Sequence, residues 1–354
     1  MRGDQSEGLC RGCGRVRWVF VRTNRSRYFG AWRFAAWYEV LVPITRISGC
    51  CQGVCWAFVN PSAAELSSNQ NHPDMPEGPE IYRAAAALDR ALANKRIEVA
   101  LHYPPLKRRA KRLRGTQIVR VYSRSKAMLT EFDNGDVLYS HNQLYGEWQI
   151  HGRDEPLLAR QVRLIISTTS QRAVLYSATE FAWLNRDRID SHPYIAKLGP
   201  EVLAPEVSVA TVASRLSAFP RRVVADALLD QAVIAGLGNY LRADALFVAH
   251  VDPFARIGEL SNNELQRLAL ACIQLTRRSV EQEGVVRPLR EYRHAMATAT
   301  RHSRAHEHSR FYVFDREGLP CWRCGAEVSR VNRGGRGVFF CARCQGVNTM
   351  IKPK

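Results

Sequence analysis

Regular spacing of apolar residues begins abruptly at residue 75. From Glu77 to Asn94, Ile81, Ala84, Leu88 and Leu92 recur every three or four positions, which predicts an amphipathic helix. Pro79 suits its first turn, where a missing N–H costs little. Short apolar runs follow at Ile118–Tyr122, Met128–Phe132, Val137–Tyr139, Val162–Ser167 and Ala173–Tyr176. With turn punctuation such as Asn134-Gly135 they predict an antiparallel sandwich or barrel. From about Ser208 to Glu283 the period turns helical, broken at Gly236-Leu237-Gly238-Asn239. Residues 287–310 are rich in Arg and His, and a cysteine-bearing tail closes the chain. The pattern therefore predicts an α+β multidomain chain: a β-rich part at 75–205, a helical part at 206–286, a basic linker at 287–310 and a metal module at 311–354. Residues 1–74 show little clean periodicity.

Charge adds a partner class. Lys and Arg number 51 against 33 Asp and Glu, a formal charge of +18 over 354 residues. Such an excess attracts polyanions, with nucleic acid the commonest, although a basic proteome or a membrane-surface role gives the same sign. No apolar run approaches the roughly 20 residues of a membrane span. Phe29 to Asn60 is interrupted by Arg33, Glu39 and Arg46, and it lacks the plan of a secretory signal. The expectation is an intracellular protein, where paired cysteines signify metal more often than disulfide.

Cys321-x2-Cys324 and Cys341-x2-Cys344, separated by sixteen residues, have the spacing of a four-cysteine zinc ribbon. Four thiolates close the coordination sphere, so one structural Zn2+ is expected and no activated water. Between the pairs, Gly334 and Gly335 permit a tight tip from which Arg336 could reach a phosphate, although on the ribbon alone a solvated surface arginine is the better account. Cys10-x2-Cys13 with Cys50, Cys51 and Cys55 could be read as a second zinc site, but the 36-residue gap and irregular spacing argue against it.

Four ordered blocks carry a family resemblance. Met75-Pro76-Glu77-Gly78-Pro79-Glu80 resembles the start of the bacterial formamidopyrimidine-DNA glycosylase and endonuclease VIII family. Tyr139-Ser140-His141-Asn142-Gln143-Leu144-Tyr145-Gly146 is similar to the damage-probing loop of its endonuclease VIII branch. Leu228-Leu229-Asp230-Gln231 through Gly236-Leu237-Gly238-Asn239-Tyr240-Leu241-Arg242 resembles the helix–two-turns–helix signature, and Phe311-Tyr312-Val313-Phe314 through Gln345 the zinc-finger end.

The resemblance implies a β-sandwich opened by a helix, a helix–two-turns–helix domain and a four-cysteine zinc ribbon. It implies a bifunctional DNA glycosylase and AP lyase of base excision repair, acting mainly on oxidised pyrimidines in double-stranded DNA. Pro76 would supply its amine as nucleophile, and Glu77 would act as general acid and base. Lys126 would protonate the base or contact phosphate. Asn239 and Arg336 would hold phosphates beside an everted nucleotide. Gln143, Leu144 and Tyr145 would fill the gap left in the stack. Glu80 is carried over as a DNA-side residue, although complementing the helix dipole explains it equally. Zn2+ is the only cofactor implied, and a cytoplasmic, nucleoid-associated monomer is expected.

The pattern is departed from twice. Seventy-four residues precede Met75, whereas an internal proline nitrogen is an amide and no nucleophile. Translation starting at Met75 is the favoured explanation. Proteolytic exposure of Pro76, or a catalytically blocked binder of damaged DNA, are the others. The 287–310 segment, with His294, His302, His306 and His308, does not match the family; a flexible basic loop is expected there. Oxidised-purine specificity on the same scaffold stays open. A zinc-ribbon interaction module would leave Met75 to Glu80 without a reason.

Overall fold

The computed structural model describes residues 76–101, 111–143, 145–298 and 305–347, and the backbone of four strands nearer the start. Contacts divide the chain into two compact units, 1–70 and 71–354. In the first, β1 (Gln5–Cys10) pairs antiparallel with β2 (Gly14–Val19), and β3 (Val21–Arg22) with β4 (Glu39–Val40). This stretch, read as lacking regular patterning, therefore does contain strands. The side chains of Cys10, Cys13, Cys50, Cys51 and Cys55 lie outside the described residues, and the second metal site with them.

The second unit opens with α1 (Gly78–Leu92), which buries Ile81, Ala85, Leu88, Ala91 and Leu92. Glu77 is its N-cap, and the Glu77 amide donates to the Glu80 carboxylate at 3.1 Å, closing the first turn. The helix packs on a sandwich of two four-stranded antiparallel sheets. One has the order β5 (Glu98–Leu101), β10 (Val162–Ser167), β11 (Gln171–Tyr176), β9 (Glu147–Gly152). The other runs β12 (Glu180–Asn185), β8 (Asp136–His141), β7 (Ala127–Phe132), β6 (Ile118–Arg124). The apolar pattern located β6, β7, β8, β10 and β11 and missed β5, β9 and β12. All three missed strands are sheet edges, half-solvated and polar in part, so their apolar signal is weak. Central β7 is buried at every position. Met128 and Phe132 face the inter-sheet core, whereas Ala127 and Leu129 pack with Ile189 and Ile195.

The helical part holds α2 (Val209–Ser217), capped by Ser208, a short α3 (Val224–Ala227), α4 (Asn239–Ala249) and the long α5 (Asn262–Glu281). Helix α4 is buried almost all round. Its core is continuous with Phe311, Val313, Phe314, Val328 and Phe339 of the cysteine-bearing tail, so the tail is not an appended bead.

The basic linker expected at 287–310 is instead partly helical, with α6 (Leu289–Thr298) and α7 (Ala305–Arg310). Arg287 anchors the segment. Its buried guanidinium lies 4.1 Å over the Trp322 ring and donates to the Ser309 carbonyl at 3.1 Å. His302 and the side chain of His306 lie outside the described residues.

Asp244 on α4 welds helix to tail. Its fully buried carboxylate accepts the amides of Tyr312, Val313 and Phe314 at 2.7, 2.9 and 3.1 Å. Burial pushes the carboxyl up to about 6 against the pull of those amides. Asp244→Ala orphans three buried donors and is expected to cost about 3 kcal/mol in urea unfolding. A loss below about 0.5 kcal/mol, the level of an ordinary surface change, would refute this role.

Candidate active site and nucleic-acid interface

The start of α1 meets the turn before α4 backbone to backbone. The Gly78 amide donates to the Gly236 carbonyl at 2.9 Å, and a Cβ on Gly78 would lie 2.7 Å from that oxygen. This approach drives the Glu77 carboxylate onto the N-terminus of α4. It accepts from the Gly238 amide at 2.7 Å and the Tyr240 amide at 2.8 Å. Helix N-termini leave such donors unpaired and favour negative charge. Gly238 has to be glycine, because a Cβ there would sit 2.3 Å from the Glu77 carboxyl carbon.

Lys126 arrives from the other side, in the turn between β6 and β7 rather than on a strand. The preceding Ser125 has φ +56, and its amide donates to Glu201 at 2.6 Å. Its hydroxyl donates to the Gln231 side-chain oxygen at 3.0 Å, and that oxygen also accepts from the Gly236 amide at 3.0 Å. One glutamine therefore ties the lysine turn to the glycine turn that receives Glu77.

The two groups shift each other. Burial pushes the Glu77 carboxyl up to about 8, while Lys126 lowers it and Glu80 raises it. Burial pulls Lys126 down, which Glu77 opposes and Arg336 reinforces. Burial thus disfavours the charged form of both groups, while the charge of each favours that of the other.

The cysteine tail returns to this place. Strands β13 (Ser329–Arg333) and β14 (Arg336–Phe340) form a hairpin whose tip residues, Gly334 and Gly335, both have left-handed φ. Exposed Arg336 follows the tip. Buried Arg242 holds the hairpin by donating to the Gly337 carbonyl at 2.8 Å, and it also donates to the Asn239 side chain. Burial pulls Arg242 down to about 10.

Of the residues expected from sequence, Pro76, Glu77, Lys126, Asn239 and Arg336 thus gather around one spot. Glu80 faces inward instead, bonded to the Glu77 amide, to Arg83 and to the Tyr240 hydroxyl. The loop expected to probe the base stack is divided. Tyr145 is 64% exposed, whereas Gln143, at φ +50, donates to Glu180 at 2.6 Å and accepts from Thr179 at 2.9 Å. Leu144 lies outside the described residues. Gln231 and Arg242 stood within a recognised motif without a role. Glu201, Asp226 and Arg333 gave no sequence signal, because their partners are distant in the chain.

The four cysteine sulfurs lie within 4.8 Å of one another, with pairs at 3.9 and 3.5 Å. Tetrahedral ligands about 2.3 Å from zinc stand about 3.8 Å apart, so the set fits that ion.

Comparison with known proteins accords with this geometry. Residues 75–180 match the family described as formamidopyrimidine-DNA glycosylase N-terminal domain, 198–288 the formamidopyrimidine-DNA glycosylase H2TH domain, and 318–347 the zinc finger found in FPG and IleRS. Endonuclease 8 of Pectobacterium atrosepticum is 38% identical over 275 residues, which is 77% of this chain and 100% of that protein. Endonuclease 8 of Escherichia coli strain K12 is 37% identical over the same span. The chain belongs to the formamidopyrimidine-DNA glycosylase and endonuclease 8 family. As a member it is a DNA glycosylase and AP lyase of base excision repair. Its fold matches that of Lactococcus lactis formamidopyrimidine-DNA glycosylase, crystallised with AP-site DNA, at a TM-score of 0.64 and 21% identity over 76% of this chain and 99% of that one.

In this family member the Glu77 carboxyl carbon, followed by 13C NMR, is expected to titrate near pH 8, far above an exposed glutamate. Lys126→Met removes a stabilising cation and should move that midpoint upward, whereas Glu80→Gln should move it downward. A midpoint near that of a free glutamate, or shifts of opposite sign, would contradict the electrostatics described.

Proposed function

We propose that the working form of this chain begins at Pro76 and removes oxidised pyrimidines from double-stranded DNA, then cuts the strand through a proline Schiff base. The observation that carries the reading is the buried Glu77 carboxyl, one residue from Pro76, against the α4 N-terminus with Lys126 beside it. The family match starting at residue 75 supports a free Pro76 amine, since the same nitrogen behind Met75 is an unreactive amide. Pyrimidine choice rests on the Asn142-Gln143-Leu144-Tyr145 loop and on the likeness to proteins named endonuclease 8.

In this reading the Pro76 lone pair bonds to C1′ of the everted nucleotide. The bond to the base breaks, its electron pair leaving with the base, which takes a proton from Lys126 or through it. The amine then loses its own proton. Glu77 protonates the ring oxygen as the C1′–O4′ bond opens, leaving an iminium at C1′. Loss of a C2′ proton expels the 3′ phosphate, and a second elimination expels the 5′ phosphate. Asn239 and Arg336 hold the flanking phosphates, and Leu144 and Tyr145 enter the stack as Gln143 leaves Glu180. Glu80 acts behind Glu77 rather than on DNA. One Zn2+ on Cys321, Cys324, Cys341 and Cys344 fixes the hairpin that presents Arg336.

Borohydride is expected to capture the Pro76-terminated protein covalently on an abasic duplex, and Pro76→Ala to lower capture by about 100-fold. Intact mass of protein from its own host should correspond to 76–354. A full-length mass together with undiminished capture would overturn the mechanism, and binding with no adduct would identify a blocked binder. Metal analysis should find one zinc per chain; Cys341→Ser should lose it together with the preference for abasic over intact duplex.

A further inference from the structure

Opposite each other across the hairpin, Arg333 and Arg336 are direct ladder partners and so project from the same face. Two arginines side by side repel. The structure treats them differently. Arg333 lies against Asp226 of α3 in a fork, Nε to both carboxylate oxygens at 2.9 Å and Nη2 to Oδ2 at 2.7 Å. Arg336 is exposed, and it lies close enough to Lys126 and Arg242 for its charge to disfavour theirs.

Asp226 thus sits on the edge of a group of four cations, Lys126, Arg242, Arg333 and Arg336. It binds one of them directly and favours the charge of Arg242. A bidentate arginine–carboxylate pair fixes orientation as well as distance, unlike most exposed ion pairs. The two-glycine tip beside it has no side chains to hold its shape, and the Arg242 bond to Gly337 secures only the strand after Arg336.

We propose that the Asp226–Arg333 fork is a positioning device that aims Arg336 at the phosphate of an everted nucleotide, and that both residues act through Arg336 rather than on DNA. The proposal rests on Arg336 being a phosphate ligand, as argued above. Asp226 is an acid among cations that face DNA, so removing it should tighten binding if charge alone mattered. If it positions Arg336, removing it weakens binding at the lesion.

The test is fluorescence anisotropy of the full chain on a duplex carrying a tetrahydrofuran abasic-site analogue, against the same duplex undamaged. This needs no free Pro76. Asp226→Ala is expected to weaken abasic-site binding about tenfold, with undamaged duplex bound as tightly as before or tighter. Arg333→Lys, which keeps the charge and loses the fork, should do the same and guards against a folding defect in the first variant. In an Arg336→Ala background neither change should have further effect. The exchange Asp226→Arg with Arg333→Asp should restore binding to within about twofold. Tighter abasic-site binding by Asp226→Ala, or losses that multiply with Arg336→Ala, overturns the positioning role. If Arg336→Ala itself leaves abasic-site binding unchanged while the protein still prefers that site, the phosphate reading of Arg336 fails instead.

Discussion

One carboxylate at one helix end organises this molecule. Glu77 begins the helix that opens the sandwich, yet its side chain satisfies amides at the start of α4. The bond works because Gly78 lets two backbones touch, Gly236 takes the left-handed φ of +101 that turns the chain there, and Gly238 leaves room for the carboxyl group. Burial would ordinarily discharge such a group, and the helix end would ordinarily keep it charged. Burial prevails and raises the carboxyl to about 8.

The rest of the site is built by bringing polar groups to that point from remote parts of the chain. Gln231 joins the lysine turn to the glycine turn, and Glu201 bonds the amide before Lys126. Helix α4 is the hub. Its first turn receives Glu77, Arg242 grips the hairpin backbone, and Asp244 grips the chain entering the cysteine tail. The shared core then makes the tail part of the helical domain, so Arg336 is presented by a rigid body rather than a tethered finger. The probing loop differs in kind. Gln143 takes a left-handed conformation and is held by Glu180 and Thr179, leaving Tyr145 in solvent. Those exposed polar bonds are cheap to exchange for other contacts, which suits the stack-entering role proposed for this loop.

Much was legible in the chain itself, for local reasons. Helix α1, the central strands and the cysteine knuckles each announce themselves within a few residues, because period, turn chemistry and ligand spacing are short-range properties. Pro76, Glu77, Lys126, Asn239 and Arg336 each stand in a motif that is recognisable within a few residues. What only the tertiary structure decided was long-range. The edge strands β5, β9 and β12 owe their existence to neighbours, since half their surface is solvated. The helices Leu289–Thr298 and Ala305–Arg310 lie in a segment that Arg287 ties to Trp322, thirty-five positions away. Glu80 turned inward because Tyr240 stood behind it. Sequence marked the groups proposed for the chemistry; their surroundings and their aim depended on burial and on partners far along the chain, which no local pattern records.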